Sequence, residues 1–124
     1  KDKFDGELTF IKPCFWDEHS AQMRDWRSAM TLAENHYLGL LAMGATPQEA
    51  RAVLPNSLKT ELVMTANIRE WRHFLNLRCD PAAHPQMREV ALLLLNKLHD
   101  AEPVCFDDLW EKWYQGGMSN GRYV

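Results

Sequence analysis

Between Asp17 and Met43 apolar residues return every three or four positions. Met23, Trp26, Met30, Leu32, Ala33, Tyr37, Leu40 and Leu41 fall broadly in one stripe, which is the signature of an amphipathic helix. Gly44 then suits the left-handed residue that closes a helix. A short helix follows in "TPQEARAVLP". There Thr46 caps, Pro47 takes the first helical position, Glu49 completes a capping box and Pro55 ends the element. A third helix over 68–78 places Ile68, Trp71, Phe74 and Leu75 on one face and Arg69, Arg72, His73 and Asn76 largely on the other. "PQMREVALLLLNKLHD" is strongly apolar and reads as the most buried helix. "PVCFDDLWEKWYQ" is a further amphipathic helix, stopped by Gly116 and Gly117.

Two stretches read as strands. "GELTFIKP" alternates weakly and is ended by Pro13. "SLKTELVMTA" is rich in Thr, Val and Leu; it suits a strand or an extended helix, and strand is the favoured assignment. The closing "MSNGRYV" reads as a mobile tail. No internal repeat or low-complexity segment is present, so the pattern is mostly helical with few strands.

A length of 124 residues suits one domain, and an apolar fraction of 46% supports a core. The net charge of -3 argues against general nucleic-acid binding, which shows a basic excess. Any anion site must therefore be local. Cys14, Cys79 and Cys105 are odd in number and irregularly spaced, which makes neither a disulfide framework nor a zinc site. They read as reduced thiols of a cytosolic protein. His19, His36, His84 and His99 show no metal-ligand spacing, so no metal is expected. No apolar run reaches the ~20 residues that span a bilayer. "KDKFDGELTF" lacks the apolar core of a signal peptide and has no initiator Met, which suggests a chain beginning inside a longer product.

Candidate chemistry gathers in "TANIREWRHFLNLRCDP". Arg69 and His73 lie four apart and share a helix face. Arg78 ends that helix, Asn67 stands at its start, and Arg51 lies in the short capped helix before it. A guanidinium fork matches a phosphate or a planar imide in two-point geometry, and a histidine ring can stack on a flat heterocycle. A nucleotide and a planar cofactor would suit the set. The plainer alternative is solvated arginines, with Asn67 as a cap and Arg78 complementing the helix dipole by ~0.3–1 kcal/mol. A third possibility is a non-catalytic helical interaction module whose arginine face docks an acidic protein partner.

The order of these residues adds to the picture. "ARAVLPNSLKTELVMTANIREWRHFLNLRCD" resembles the C-terminal half of the flavin-dependent thymidylate synthases. In that family an Ala-Arg-x-Val-Leu-Pro segment precedes a Thr-rich strand, then Asn-x-Arg, then a helix reading Phe-Leu-x-Leu-Arg. A looser likeness runs from Leu8 through the last helices. The resemblance implies synthesis of dTMP from dUMP, with methylenetetrahydrofolate as carbon donor and NADPH as reductant, through FAD. It implies a homotetramer with sites shared between subunits. Arg51 and Arg78 match dUMP-binding arginines, Arg78 being the one that contacts the uracil and so carries the catalytic role. Asn67, Arg69 and His73 match positions at the FAD. The implied fold is α+β, mostly helical, with helices packed on part of an antiparallel sheet whose other strands lie upstream.

The match has gaps. The family signature, Arg-His-Arg followed after seven residues by Ser, is absent from these residues, so half the implied site is missing. After Arg78 the family has an Ala-Gln-x-Glu-Ile-Arg run, where this chain has His84 and Gln86 at the Gln and Glu positions. "SNGRYV" resembles a segment that follows the signature in relatives, but it is too short to assign Arg122 a role. Cys79 beside Arg78 suggests a nucleophile of the kind used by the classical thymidylate synthases. The flavin-dependent family needs none, and a small buried thiol is the simpler expectation.

Overall fold

A computed structural model describes residues 8–115. The predicted glycine stop at Gly116 and Gly117, the "MSNGRYV" tail with Arg122, and the first residues of "GELTFIKP" lie outside that range. The chain divides into two compact units, residues 1–62 and 63–124.

The first unit is built on α1, Ala21–Ala42. It starts later than the apolar pattern predicts, because Asp17 closes a turn instead: its backbone oxygen accepts from Ser20 N at 3.1 Å and its carboxylate from His19 N at 2.9 Å. Ser20 is the cap, its hydroxyl accepting from Met23 N at 3.1 Å. The far end closes as Gly44 predicts. Gly44 takes φ 95°, Ala45 N reaches Leu40 O at 3.0 Å, and Gly44 N reaches Leu41 O at 3.0 Å, a pairing that gives carbonyls of the last turn donors from beyond the helix. Met23 and Tyr37 are buried along the stripe, while Leu32 is turned out to solvent. α2, Pro47–Ala50, carries the predicted capping box between Thr46 and Glu49 and runs into a 3-10 turn at Arg51–Val53.

The expected antiparallel sheet is not there: among the described residues no strand forms. The two extended segments meet in a single antiparallel bridge, Phe10 with Leu58. Ile11 N donates to Ser57 O at 2.7 Å and Lys59 N to Thr9 O at 2.8 Å. Both predicted strands contribute backbone to this one bridge. A strand needs more: a neighbour to accept its ladder and side chains to pack across it. Leu62, Val63 and Met64 have neither, at 70%, 97% and 55% exposure. The α+β assignment is therefore corrected to an all-helical one for the described chain.

The second unit packs three helices: α3, Ile68–Arg78; α4, Pro85–Ala101; and α5, Pro103–Leu109, which continues as a π-helical turn at Trp110–Gln115. Their core is Leu75 and Cys79 from α3, Ala91, Leu92 and Leu95 from α4, and Phe106 and Leu109 from α5. The spacing of Leu75 and Cys79, and of Ala91 and Leu95, is the i, i+4 repeat of a helix face. A stack runs from His99 to Trp110 (4.6 Å between centroids) and on to Tyr114 (5.5 Å), fixing the end of α4 against the π-helical turn. α4 is not buried all round: Met87, Val90 and Leu93 face outward.

Candidate functional site

α3 begins where the sequence places it. Asn67 has extended backbone, and its Oδ1 accepts from Glu70 N at 2.9 Å. Glu70 in the first turn and Arg78 in the last complement the helix dipole. The inward stripe of Trp71, Leu75 and Cys79 fixes the rotation of the helix, and that rotation decides where each polar side chain goes.

Arg69 and His73 come out together on the exposed side, about 40° apart at about 100° per residue. Arg78 does not join them. Nine residues beyond Arg69, it emerges about 180° around the helix and about 13 Å along its axis. Asn67, Arg69, His73 and Arg78 are all exposed. Arg51 is exposed as well, in the 3-10 turn of the first unit.

Arg72 is different, and its role is not visible in the sequence. Its guanidinium forks onto Asp108, with both nitrogens 2.7 Å from the carboxylate oxygens, and also donates to the Cys105 carbonyl at 2.5 Å. The Arg72 hydrogen bond holds the Asp108 carboxyl below its ordinary range, at about 2. Arg72 therefore ties α3 to α5. The partners stand 36 positions apart, a separation that no helical or strand period announces. A shallow open depression lies over this clamp, lined by Ile68, Arg72, Val104, Cys105, Asp107 and Asp108. Its charged groups are engaged: Asp107 is 2.6 Å from His99 Nε2. None of the sequence-predicted site residues lines it.

By contrast, among the described residues Arg51, Arg69, His73 and Arg78 make no ion pair. Their donors face water. The Cys79 thiol is fully buried, and burial pushes it up to about 11, with the charge of Arg88 offsetting part of the rise. A thiol held protonated and out of solvent is no nucleophile.

The sequence model for the thymidylate synthase complementing protein matches residues 2–104. The chain belongs to that family. Among its curated relatives, a flavin-dependent thymidylate synthase of Corynebacterium efficiens is 44% identical over 87 residues, which is 68% of this chain and 35% of the relative. One of Thermococcus kodakarensis is 33% identical over 94 residues, 76% of this chain and 38% of the relative. One of Geobacter sulfurreducens is 33% identical over 102 residues, 78% of this chain and 44% of the relative. The chain thus spans less than half the length of these thymidylate synthase relatives. Among the described residues no helix is long and apolar enough to cross a membrane, and no His, Cys, Asp and Glu cluster could hold a metal ion.

Proposed function

We propose that the chain is the C-terminal portion of a flavin-dependent thymidylate synthase, methylating dUMP to dTMP with methylenetetrahydrofolate and NADPH as co-substrates. The observation that carries this reading is the pairing of family membership with side-chain availability. The arginine and histidine positions that the resemblance assigns to ligands, Arg51, Arg69, His73 and Arg78, are exposed and unpaired within the described chain. Arg72 on the same helix is consumed by Asp108.

In this reading Arg69 and His73 hold FAD, with Asn67 presenting its amide beside them. Cationic and planar side chains on one exposed face fit a ligand that is both anionic and flat. When bound, the flavin supplies hydride-transfer chemistry. Arg51 and Arg78 bind dUMP. A uracil imide is a weak acid, and a guanidinium beside it favours the ionised form, which makes uracil C5 a better carbon nucleophile. A charge set in place by the fold before the reaction is electrostatic preorganisation.

The opposite placement of Arg69 and Arg78 on α3 supports a homo-oligomer in which different copies complete a site. The outward apolar residues Met87, Val90 and Leu93 of α4 offer surface for such contacts. A cytoplasmic location fits three cysteines that stay outside any disulfide.

The test is the visible absorption spectrum of desalted protein after mixing with FAD. It is run with and without a co-expressed segment carrying the Arg-His-Arg-x7-Ser signature, and again with Arg69→Ala. Flavin retained when the signature segment is present, and weakened by the substitution, supports the reading. Flavin retained by neither preparation overturns it.

A further inference from the structure

Arg88 is not among the positions assigned to a ligand, yet it reaches the end of the helix that carries Arg78. It sits in the first turn of α4, and its Nε donates to the Cys79 carbonyl at 2.9 Å from a partly buried position. Cys79 is the C-cap of α3 and follows Arg78 directly; its own N–H bonds Leu75 O at 2.9 Å. The last carbonyls of a helix have no partner within it, and final turns fray for that reason. A cation that bonds such a carbonyl also meets the negative end of the helix dipole.

The turn between the two helices is laced from both sides. The Asp80 carboxylate accepts from Ala82 N at 2.8 Å, and Asp80 O accepts from Ala83 N at 2.9 Å. His84 O then accepts from Arg88 N at 2.9 Å as α4 begins. Buried Cys79 anchors the inner side of the last α3 turn, and Arg88 closes its carbonyl. Arg78 itself extends into solvent, so the fold can aim its guanidinium only through the backbone beneath it.

We propose that Arg88 is a positioning residue for Arg78: it pins the last turn of α3 so that Arg78 meets the uracil ring at a fixed angle. This inference rests on the thymidylate synthase reading. Small errors in placement are costly, since a displacement of about 1 Å can lower a rate ~100-fold. Arg88→Met keeps much of the apolar stem but removes the donor. Arg88→Lys keeps a donor within reach of the carbonyl.

The experiment is a double-mutant cycle on dUMP affinity, measured by calorimetry across about pH 7 to about pH 9.5 on the FAD-loaded oligomer completed by the co-expressed signature segment. It uses wild type, Arg88→Met, Arg88→Lys, Arg78→Ala and the Arg78→Ala/Arg88→Met pair. Hydrogen exchange at the Cys79 amide, read without nucleotide, reports the helix end separately. The expected result is a roughly tenfold weaker dUMP affinity in Arg88→Met, with most of it regained in Arg88→Lys and less than about twofold loss when Arg78 is already absent. The rise of affinity as the uracil ionises should flatten in Arg88→Met, as in Arg78→Ala. Cys79 exchange should speed up in Arg88→Met alone of the single Arg88 variants. If Arg78→Ala weakens dUMP binding while Arg88→Met matches wild type, or acts equally in both backgrounds, the positioning role is overturned and the nucleotide reading stands. If wild type binds FAD but no dUMP, or Arg78→Ala binds dUMP as wild type does, both are overturned together.

Discussion

In the proposed reading Asn67 carries two separable jobs in one side chain. Its oxygen caps α3 by accepting from Glu70 N, while its amide nitrogen is the part that could donate to a cofactor. Asn67→Ala removes both and should cost about 1 kcal/mol of stability, read from chemical denaturation. Asn67→Asp keeps the accepting oxygen and adds a negative charge where the helix dipole welcomes it. Its denaturation midpoint should match wild type, yet its flavin affinity should fall, because an anion now faces an anionic cofactor. Equal flavin binding by Asn67→Asp and wild type would reduce Asn67 to a cap. Cys79 invites the opposite expectation. Its thiol is fully buried and pushed up to about 11. At about pH 8, iodoacetamide should therefore label half-buried Cys14 and Cys105 in the folded protein well before Cys79, as peptide mass spectrometry would show. Cys79→Ala should cost roughly 1 kcal/mol through lost packing, with flavin binding retained.

At the scale of elements, the Arg72 clamp gives α3 and α5 a pH-dependent tie. The Arg72 hydrogen bond sets Asp108 at about 2, below its ordinary 3.8. A carboxyl whose folded value is depressed stabilises the fold above its unfolded value, and that contribution is lost as pH falls through the folded one. Acid titration between about pH 4 and about pH 2 should thus loosen α5 from α3, followed by the near-ultraviolet circular dichroism of Trp110 and Trp113. Asp108→Asn should flatten that step. Both groups face water, with 36% and 64% of their side chains exposed, so Arg72→Met should cost only about 1 kcal/mol at moderate salt. A Phe106→Ala change in the core should cost more, about 3–5 kcal/mol.

The elements also show what the sequence could reveal. Caps and terminators act within four residues, so Thr46, Gly44, Asn67 and Pro85 mark their helix ends plainly. The apolar repeat fixes the inward stripe of α3, and with it the exposure of Arg69 and His73. The sheet does not follow from its strand-like segments, because composition favours extended backbone while pairing depends on a partner elsewhere: Leu62, Val63 and Met64 have the composition without the neighbour. The ties of Arg72 to Asp108 and of Arg88 to Cys79 are illegible for a related reason, as both join residues brought near only by folding. Arg69 and Arg78 are readable as ligand candidates through their family resemblance. Their opposite directions need the helix itself.

For the whole molecule, that opposition has a consequence for assembly. A helix with its side chains is about 10–12 Å across. Arg69 and Arg78 of one α3 therefore cannot both close on a single flat ring. The resemblance implies sites shared between subunits, and on that reading each site takes Arg69, at the FAD, from one copy and Arg78, at the uracil, from another. Two chains, each lacking one of these arginines, should then repair each other. Arg69→Ala and Arg78→Ala preparations should each be inactive, in oligomers completed by the signature segment. When they are unfolded together and reassembled at equal ratio, roughly a quarter of the sites should receive both intact arginines, given random exchange among symmetric copies. Dilution of the mixture below the assembly concentration should abolish the recovered dTMP formation. Recovery that stays at zero while native mass spectrometry shows fully mixed oligomers would mean that one copy supplies both arginines.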